Sequence, residues 1–331
     1  MMHWIDAHLD LAYLALSGRD LRVPCPDPGL GCVSLPALRE ARAEIVFGTL
    51  YTSPRNDDTP CSYPSSDDRE AAWVAGQRQL AVYRDFQAGG EITIARCRED
   101  LARDTPLPRI VLLMEGADPI RDPGDVGRWF DDGVRIVGLT WAAGTRYAGG
   151  NASPGPLSAL GRELVSALDE AGIVHDASHL ADEAFDDLFG VATGPIVATH
   201  SNCRELVADD QRHLGDDQIR AIGDRGGVIG LNLFSRFLTR DGRATIATCV
   251  EHLQHISELM GHRRGVGLGS DADGGFSPRQ MPEGLEHHRD LAALAEGLRD
   301  AGWSDQDIKG FCHGNWLRLL RKALPQTAPA A

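Results

Sequence analysis

Six side chains able to bind a divalent cation, His8, Asp10, Glu115, His179, His200 and Asp271, are scattered along this chain, each at or just past the end of a short apolar run. In Asp6-Ala7-His8-Leu9-Asp10 the histidine and the second aspartate are two apart, so in extended backbone both leave on one face and can grip one ion. Glu115 follows Ile110-Val111-Leu112-Leu113-Met114. A carboxylate leaving a buried strand is costly unless it is protonated, salt-bridged or bound to metal. His179 ends Val174-His175-Asp176-Ala177-Ser178 and His200 ends Ile196-Val197-Ala198-Thr199, so successive strands would set two imidazoles side by side. Asp271 and Asp273 follow Val266-Gly267-Leu268-Gly269 and offer further oxygens, while Gly274-Gly275 lets the loop turn sharply. Imidazoles and carboxylates in this mixture suit zinc or a similar divalent ion.

Scattered ligands meet only if one architecture gathers their strand ends. Eight apolar runs of β type, at residues 3–7, 44–50, 109–114, 134–139, 172–175, 195–198, 227–231 and 265–268, alternate with amphipathic stretches such as 67–87, 157–170, 216–224 and 244–260. Several runs are near-continuous in hydrophobicity, as strands covered on both faces are. Gly133, Gly172 and Gly227 punctuate helix ends before three of them. Eight strand–helix units predict an α/β fold, a (β/α)8 TIM barrel, in which every strand's carboxyl end surrounds one mouth. A doubly wound open sheet would show fewer units and a glycine-rich phosphate turn after the first strand, where this chain has Asp6 to Asp10. One domain over residues 1–324 follows, with a disordered Pro/Ala tail at 325–331 and a polar loop at 52–68 lying over the mouth.

The 331 residues carry a net charge of −15 and no Lys/Arg cluster that would track a phosphate backbone, which excludes nucleic acid as a partner. No apolar stretch approaches the ~20 residues of a membrane-spanning helix. The amino terminus lacks a basic and apolar leader, so a soluble cytoplasmic protein without membrane association is expected. Seven cysteines without a close CxxC pair argue against a disulfide scaffold or zinc ribbon, and read as reduced, buried residues. His252 and His255 share a helix face and are expected to be solvated or partly packed, and His262, His287 and His288 are expected at the surface.

Taken in order, Asp6-Ala7-His8-Leu9-Asp10, Glu115-Gly116, Ala177-Ser178-His179, Thr199-His200-Ser201-Asn202, Arg212-His213-Leu214, Gly226-Gly227-Val228-Ile229-Gly230, Gly269-Ser270-Asp271-Ala272-Asp273-Gly274 and Gly314-Asn315-Trp316-Leu317-Arg318 resemble the membrane (renal) dipeptidase family of zinc peptidases, metal-dependent hydrolases. The resemblance implies two Zn²⁺ or other divalent ions, with His8, Asp10 and Asp271 holding one, His179 and His200 the other, and Glu115 bridging them. It also implies Asp271 as the proton carrier, Arg212 as a clamp for the free carboxylate of a dipeptide, and a homodimer. Some relatives accept a D-configured residue at the carboxyl end.

One position departs from that pattern. Where the family has Leu-Thr-His, its histidine near the reacting carbonyl, this chain reads Leu139-Thr140-Trp141. An indole neither accepts nor carries a proton, although its N–H can donate to an oxyanion. Arg146 and Tyr147 stand nearby as candidates to supply the missing substrate contact. The leading reading is a binuclear zinc dipeptidase acting on small peptides. The alternatives are the same site turned to another bond, such as that of an N-acyl amino acid or a lactone, or a barrel that binds metal or a metabolite without catalysis.

Overall fold

Each of the eight apolar runs forms a parallel strand: β1 (Trp4–Leu9), β2 (Ala43–Tyr51), β3 (Arg109–Glu115), β4 (Val134–Gly138), β5 (Val174–Asp176), β6 (Ile196–Val197), β7 (Ile229–Leu231) and β8 (Val266–Leu268). The structure is a computed structural model that describes residues 2–54, 59–102 and 105–328. The strands are ordered β6-β5-β4-β3-β2-β1-β8-β7, and a bridge between Ala198 and Ile229 joins the two ends, so the sheet closes into the expected barrel. Helices Arg69–Ala88, Ala159–Ala171, Asp216–Asp224 and Ile246–Met260 fall close to the amphipathic stretches. Ser158 caps the second of these by accepting from the Gly161 N–H, and Gly172, with φ of 71°, ends it. Before β7 the left-handed stop is Gly226, one residue ahead of the expected Gly227.

Inward side chains fill the barrel: Ile5 and Ala7 from β1, Ile45 and Phe47 from β2, Val111 and Leu113 from β3, with Ile136, Val174 and Val197 beyond. Helix Asn315–Ala323 plugs the amino end, where the Trp316 ring packs edge-on against Phe47 at 5.1 Å and its Nε1 donates to the Leu268 carbonyl. The strands' carboxyl ends are left as the open mouth.

Two features depart from the expected pattern. Ala148–Gly150 and Ser153–Leu157 form a small antiparallel hairpin after β4, hidden in the sequence by its glycines and prolines. Part of the 52–68 loop is ordered, with Ser53–Pro54 paired to Ser62–Tyr63; its residues 55–58 lie outside the described residues, as do 329–331 of the tail. The tail's first residue is held, its Pro325 carbonyl accepting from the Arg98 N–H. The cysteines are free and, Cys25 apart, buried. No helix among the described residues is long and apolar enough to cross a membrane.

Candidate active site

All six expected ligands meet at the mouth. His8 comes from β1, with Asp10 one residue past it; Glu115 ends β3; His179, His200 and Asp271 follow β5, β6 and β8. The Glu115 carboxylate lies at the centre and faces two ways. Its Oε1 is 3.2 Å from His179 Nε2 and 3.3 Å from His200 Nε2, and its Oε2 is 3.7 Å from His8 Nε2. On its far side, His8 Nε2 lies 3.9 Å from both Asp10 Oδ2 and Asp271 Oδ1. His179 and Asp271 adopt left-handed backbone, with φ of 66° and 58°. Non-glycine residues reach that region at a cost, which here turns their side chains toward the centre.

Residues behind the cluster set the tautomers. The Thr199 hydroxyl donates to Asp176 Oδ2 at 2.5 Å, so its oxygen accepts from His200 Nδ1 at 2.9 Å. His179 Nδ1 faces the Asn151 Oδ1 acceptor at 2.9 Å. Both rings therefore carry their proton on Nδ1 and turn a bare Nε2 lone pair inward. These two nitrogens stand 3.0 Å apart, and Glu115 Oε1 beside them has no hydrogen-bond donor. The two nitrogens and this oxygen converge as buried acceptors, and Asp10 Oδ1 is also buried without a partner. A cation is what such a set fits.

Electrostatics agree. Burial, with the Arg212 charge behind it, lowers His8 to about 3, and burial holds His179 and His200 well below the ordinary histidine range. Burial lifts Asp10 to about 7, and lifts Glu115 and Asp271 well above the carboxylate range, with neighbouring carboxylates adding to both. Asp271 Oδ2 is not free, because it accepts from Asn232 Nδ2 at 2.9 Å. Arg212 is 4% exposed; its guanidinium donates to the His200 carbonyl at 2.8 Å and to Ser201 Oγ at 3.2 Å, leaving Nε without a partner. The cavity above, about 310 Å³, is lined by these groups and by Tyr13, Tyr51, Trp141, Phe234, Phe237 and Phe276.

Several expectations need correction. Arg146 and Tyr147 do not reach the cavity: Arg146 donates to the Ser66, Asp118 and Ile120 carbonyls, and the Tyr147 hydroxyl to Ile120 O, which pins loops instead. Asp273 is no ligand; it pairs with Arg19 at 2.6 Å and accepts from the Cys32 and Val33 N–H groups. His252 is fully buried, accepting from the Cys203 N–H and bonded to the Leu238 carbonyl. His288 is 3% exposed and bonded to Asp6 at 2.9 Å. Sequence reasoning gave no role to Asp176, Asn151 or Asn232, because partners that act on ligands through one more bond have no spacing of their own to read.

Comparison with known proteins bears on the family and the fold. The chain is 34% identical over 247 residues, 70% of its own length, to a Klebsiella pneumoniae protein described as an uncharacterized protein in the pqqA 5' region, and covers 87% of it. It is 27% identical over 299 residues to dipeptidase aclJ of Aspergillus oryzae, covering 88% of this chain and 69% of that one. In fold it is similar, with a TM-score of 0.85 and 24% identity over 97% of its length and 99% of the other's, to a metallopeptidase from Rhodobacter sphaeroides solved with a phosphinate mimic of L-Ala-D-Ala. The family model described as membrane dipeptidase, peptidase family M19, matches residues 1–329, and the chain is a hydrolase belonging to that family.

Proposed function

We propose that the cluster holds two divalent cations, zinc being the one its ligands suit best, and that the site hydrolyses small dipeptides with a free carboxyl end. The observation that carries this reading is the convergence of bare Nε2 atoms and an unpartnered Glu115 oxygen on one side of that carboxylate, with His8, Asp10 and Asp271 on the other. Bound there, paired cations polarise an amide carbonyl and acidify water. The residues supply the rest. Arg212, in the cavity lining with its Nε unpartnered, is the guanidinium placed to bind a ligand carboxylate with charge-assisted hydrogen bonds. Asp271, oriented by Asn232, takes the proton that water loses as its oxygen adds to the carbonyl carbon, and passes it to the nitrogen when the C–N bond breaks. The phosphinate dipeptide mimic held by the Rhodobacter sphaeroides protein supports a dipeptide, including one with a D-residue at the carboxyl end, as the substrate class.

Elemental analysis of zinc-reconstituted protein should give two metals per chain, and Glu115→Gln or His200→Ala should lose tight binding; unchanged metal content in both variants refutes the ligand assignment. Trp141 in the lining favours a second reading, the same chemistry on an N-acyl amino acid or a lactone. Assays of dipeptides beside those substrates separate the two, since no dipeptide turnover with added Zn²⁺ sinks the first.

A further inference from the structure

The cavity is flanked by two aromatic walls with the ligand cluster between them. On one side Phe234 stacks on Phe276 with centroids 4.6 Å apart, and the Arg212 guanidinium lies over the Phe237 ring at 4.9 Å. On the other, Trp141 meets Tyr51 edge-on at 5.3 Å, Tyr51 meets Tyr13 edge-on at 6.0 Å, and the indole stands 6.0 Å from His179. This second wall is anchored beside the elements that carry the ligand candidates. Tyr51 is the β2 residue paired in register with Glu115, and Tyr13 lies one helical turn beyond Asp10.

On the dipeptidase reading, a carboxylate on Arg212 would set the carboxyl-side residue beside Phe237, which the guanidinium overlies, and the scissile carbonyl toward Glu115. The amino-side residue is then left facing Trp141, Tyr51 and Tyr13. Among the described residues Arg212 is the only Lys or Arg in the lining, and the lining acids, Asp10, Glu115 and Asp271, are all proposed ligands. A charged side chain entering the second wall would be desolvated with no partner among the described lining residues, whereas an aromatic one gains edge-to-face contacts of about 0.5–1.5 kcal/mol each beyond its buried area.

Resting on the dipeptidase reading above, we infer that Trp141, with Tyr51 and Tyr13, is a specificity wall selecting substrates whose amino-side residue carries an aromatic or bulky apolar side chain. The indole that stands where the family has a histidine thus takes up substrate surface. The cavity, about 310 Å³, lies near the lower end for ligand sites, a size that suits a small substrate.

The test uses zinc-loaded enzyme with Phe-Gly, Leu-Gly, Gly-Gly, Lys-Gly and Asp-Gly. Wild type should favour Phe-Gly over Lys-Gly and Asp-Gly in kcat/KM by at least about tenfold, the effect of about 1.4 kcal/mol. Trp141→Ala should shrink the ratio of Phe-Gly to Gly-Gly by about tenfold, mainly through KM, and Trp141→Phe should keep most of it. An unchanged ratio in Trp141→Ala, or a wild-type preference for the charged dipeptides, overturns the wall. Calorimetric binding of the same dipeptides separates this from the reading beneath it. Tighter binding of Phe-Gly without turnover upholds the wall and removes the dipeptidase; equal binding of all five overturns the wall itself.

Discussion

At the scale of the residue, Arg212 and Trp141 decide what the site accepts. Arg212 is buried, its charge weakened by burial and sustained by Asp271 and Glu115, so a ligand carboxylate meets it with little competing water. Arg212→Ala should raise KM for free-carboxyl dipeptides by at least about 30-fold, since truncating one partner of a buried, hydrogen-bonded charge pair costs about 2–5 kcal/mol. An equal loss on carboxyl-amidated analogues would show that the variant merely loosens His200, whose carbonyl Arg212 also holds. Trp141→His restores the family's imidazole beside His179. It should raise kcat on dipeptides by about tenfold or more while eroding the preference for aromatic side chains; an unchanged kcat would mean that the indole N–H already serves the carbonyl. The convergence of the six proposed ligands was legible because strand-end His, Asp and Glu are rare side chains in a constrained context. Arg146, Tyr147 and Asp273 were misplaced because loop residues have no period to orient them, and each found a nearer partner in a carbonyl, an arginine or a backbone N–H.

At the scale of the element, the site depends on how closely β6, β7 and β8 approach behind it. The Thr199 carbonyl lies between Gly230 and Gly269, and a Cβ at either glycine would fall well inside 3.0 Å of that oxygen. The strands close only because both positions lack side chains, and the same closure presents the next residue, His200, to Glu115. Gly269→Ala should therefore displace Thr199 and His200 and weaken metal affinity before it unfolds the barrel. The measurement is zinc affinity by competition with a chelator, alongside circular dichroism; native affinity with a native spectrum would show that the backbone can absorb the methyl group. All eight strands were readable from apolar runs, although the sequence does not tell that two glycines are there for space rather than for turning. The hairpin at Ala148–Leu157 escaped for a related reason, since glycines and prolines such as Gly149, Gly150, Pro154 and Gly155 disfavour strand in the sequence yet pair as strand here. It matters to the site, because Asn151 at its tip orients His179.

At the scale of the molecule, the open mouth with its buried carboxyls and imidazoles favours a bound cation over a stable empty barrel, and stability is built at the opposite end. There Trp316 fills the barrel beneath Phe47, and Trp316→Ala should cost about 3–5 kcal/mol in urea unfolding while leaving zinc stoichiometry at two per chain under native conditions. The same end carries an ionic knot. Glu44, at the start of β2, lies 2.7 Å from His3 ahead of β1, 3.1 Å from His313 in the segment leading to the plug helix, and 3.2 Å from Arg109 at the start of β3. The His313 hydrogen bond, with help from His3 and Arg109, lowers its pKa from 4.5 to about 2 against the opposing effect of burial. A carboxyl depressed in the folded state contributes stability that is present above pH 4.5 and is lost as the pH falls through 2. Partial exposure screens the contribution to about 1 kcal/mol. Glu44→Gln should therefore have a lower urea midpoint than wild type at pH 5 to 6, and the gap should narrow steadily as the pH is taken from 4.5 toward 3. Because the knot ties the amino terminus, two strands and the carboxyl-terminal segment, the loss should appear as a single shifted transition. A gap that stayed constant or widened on acidification would assign the stabilisation to packing of the Glu44 stem and not to its charge.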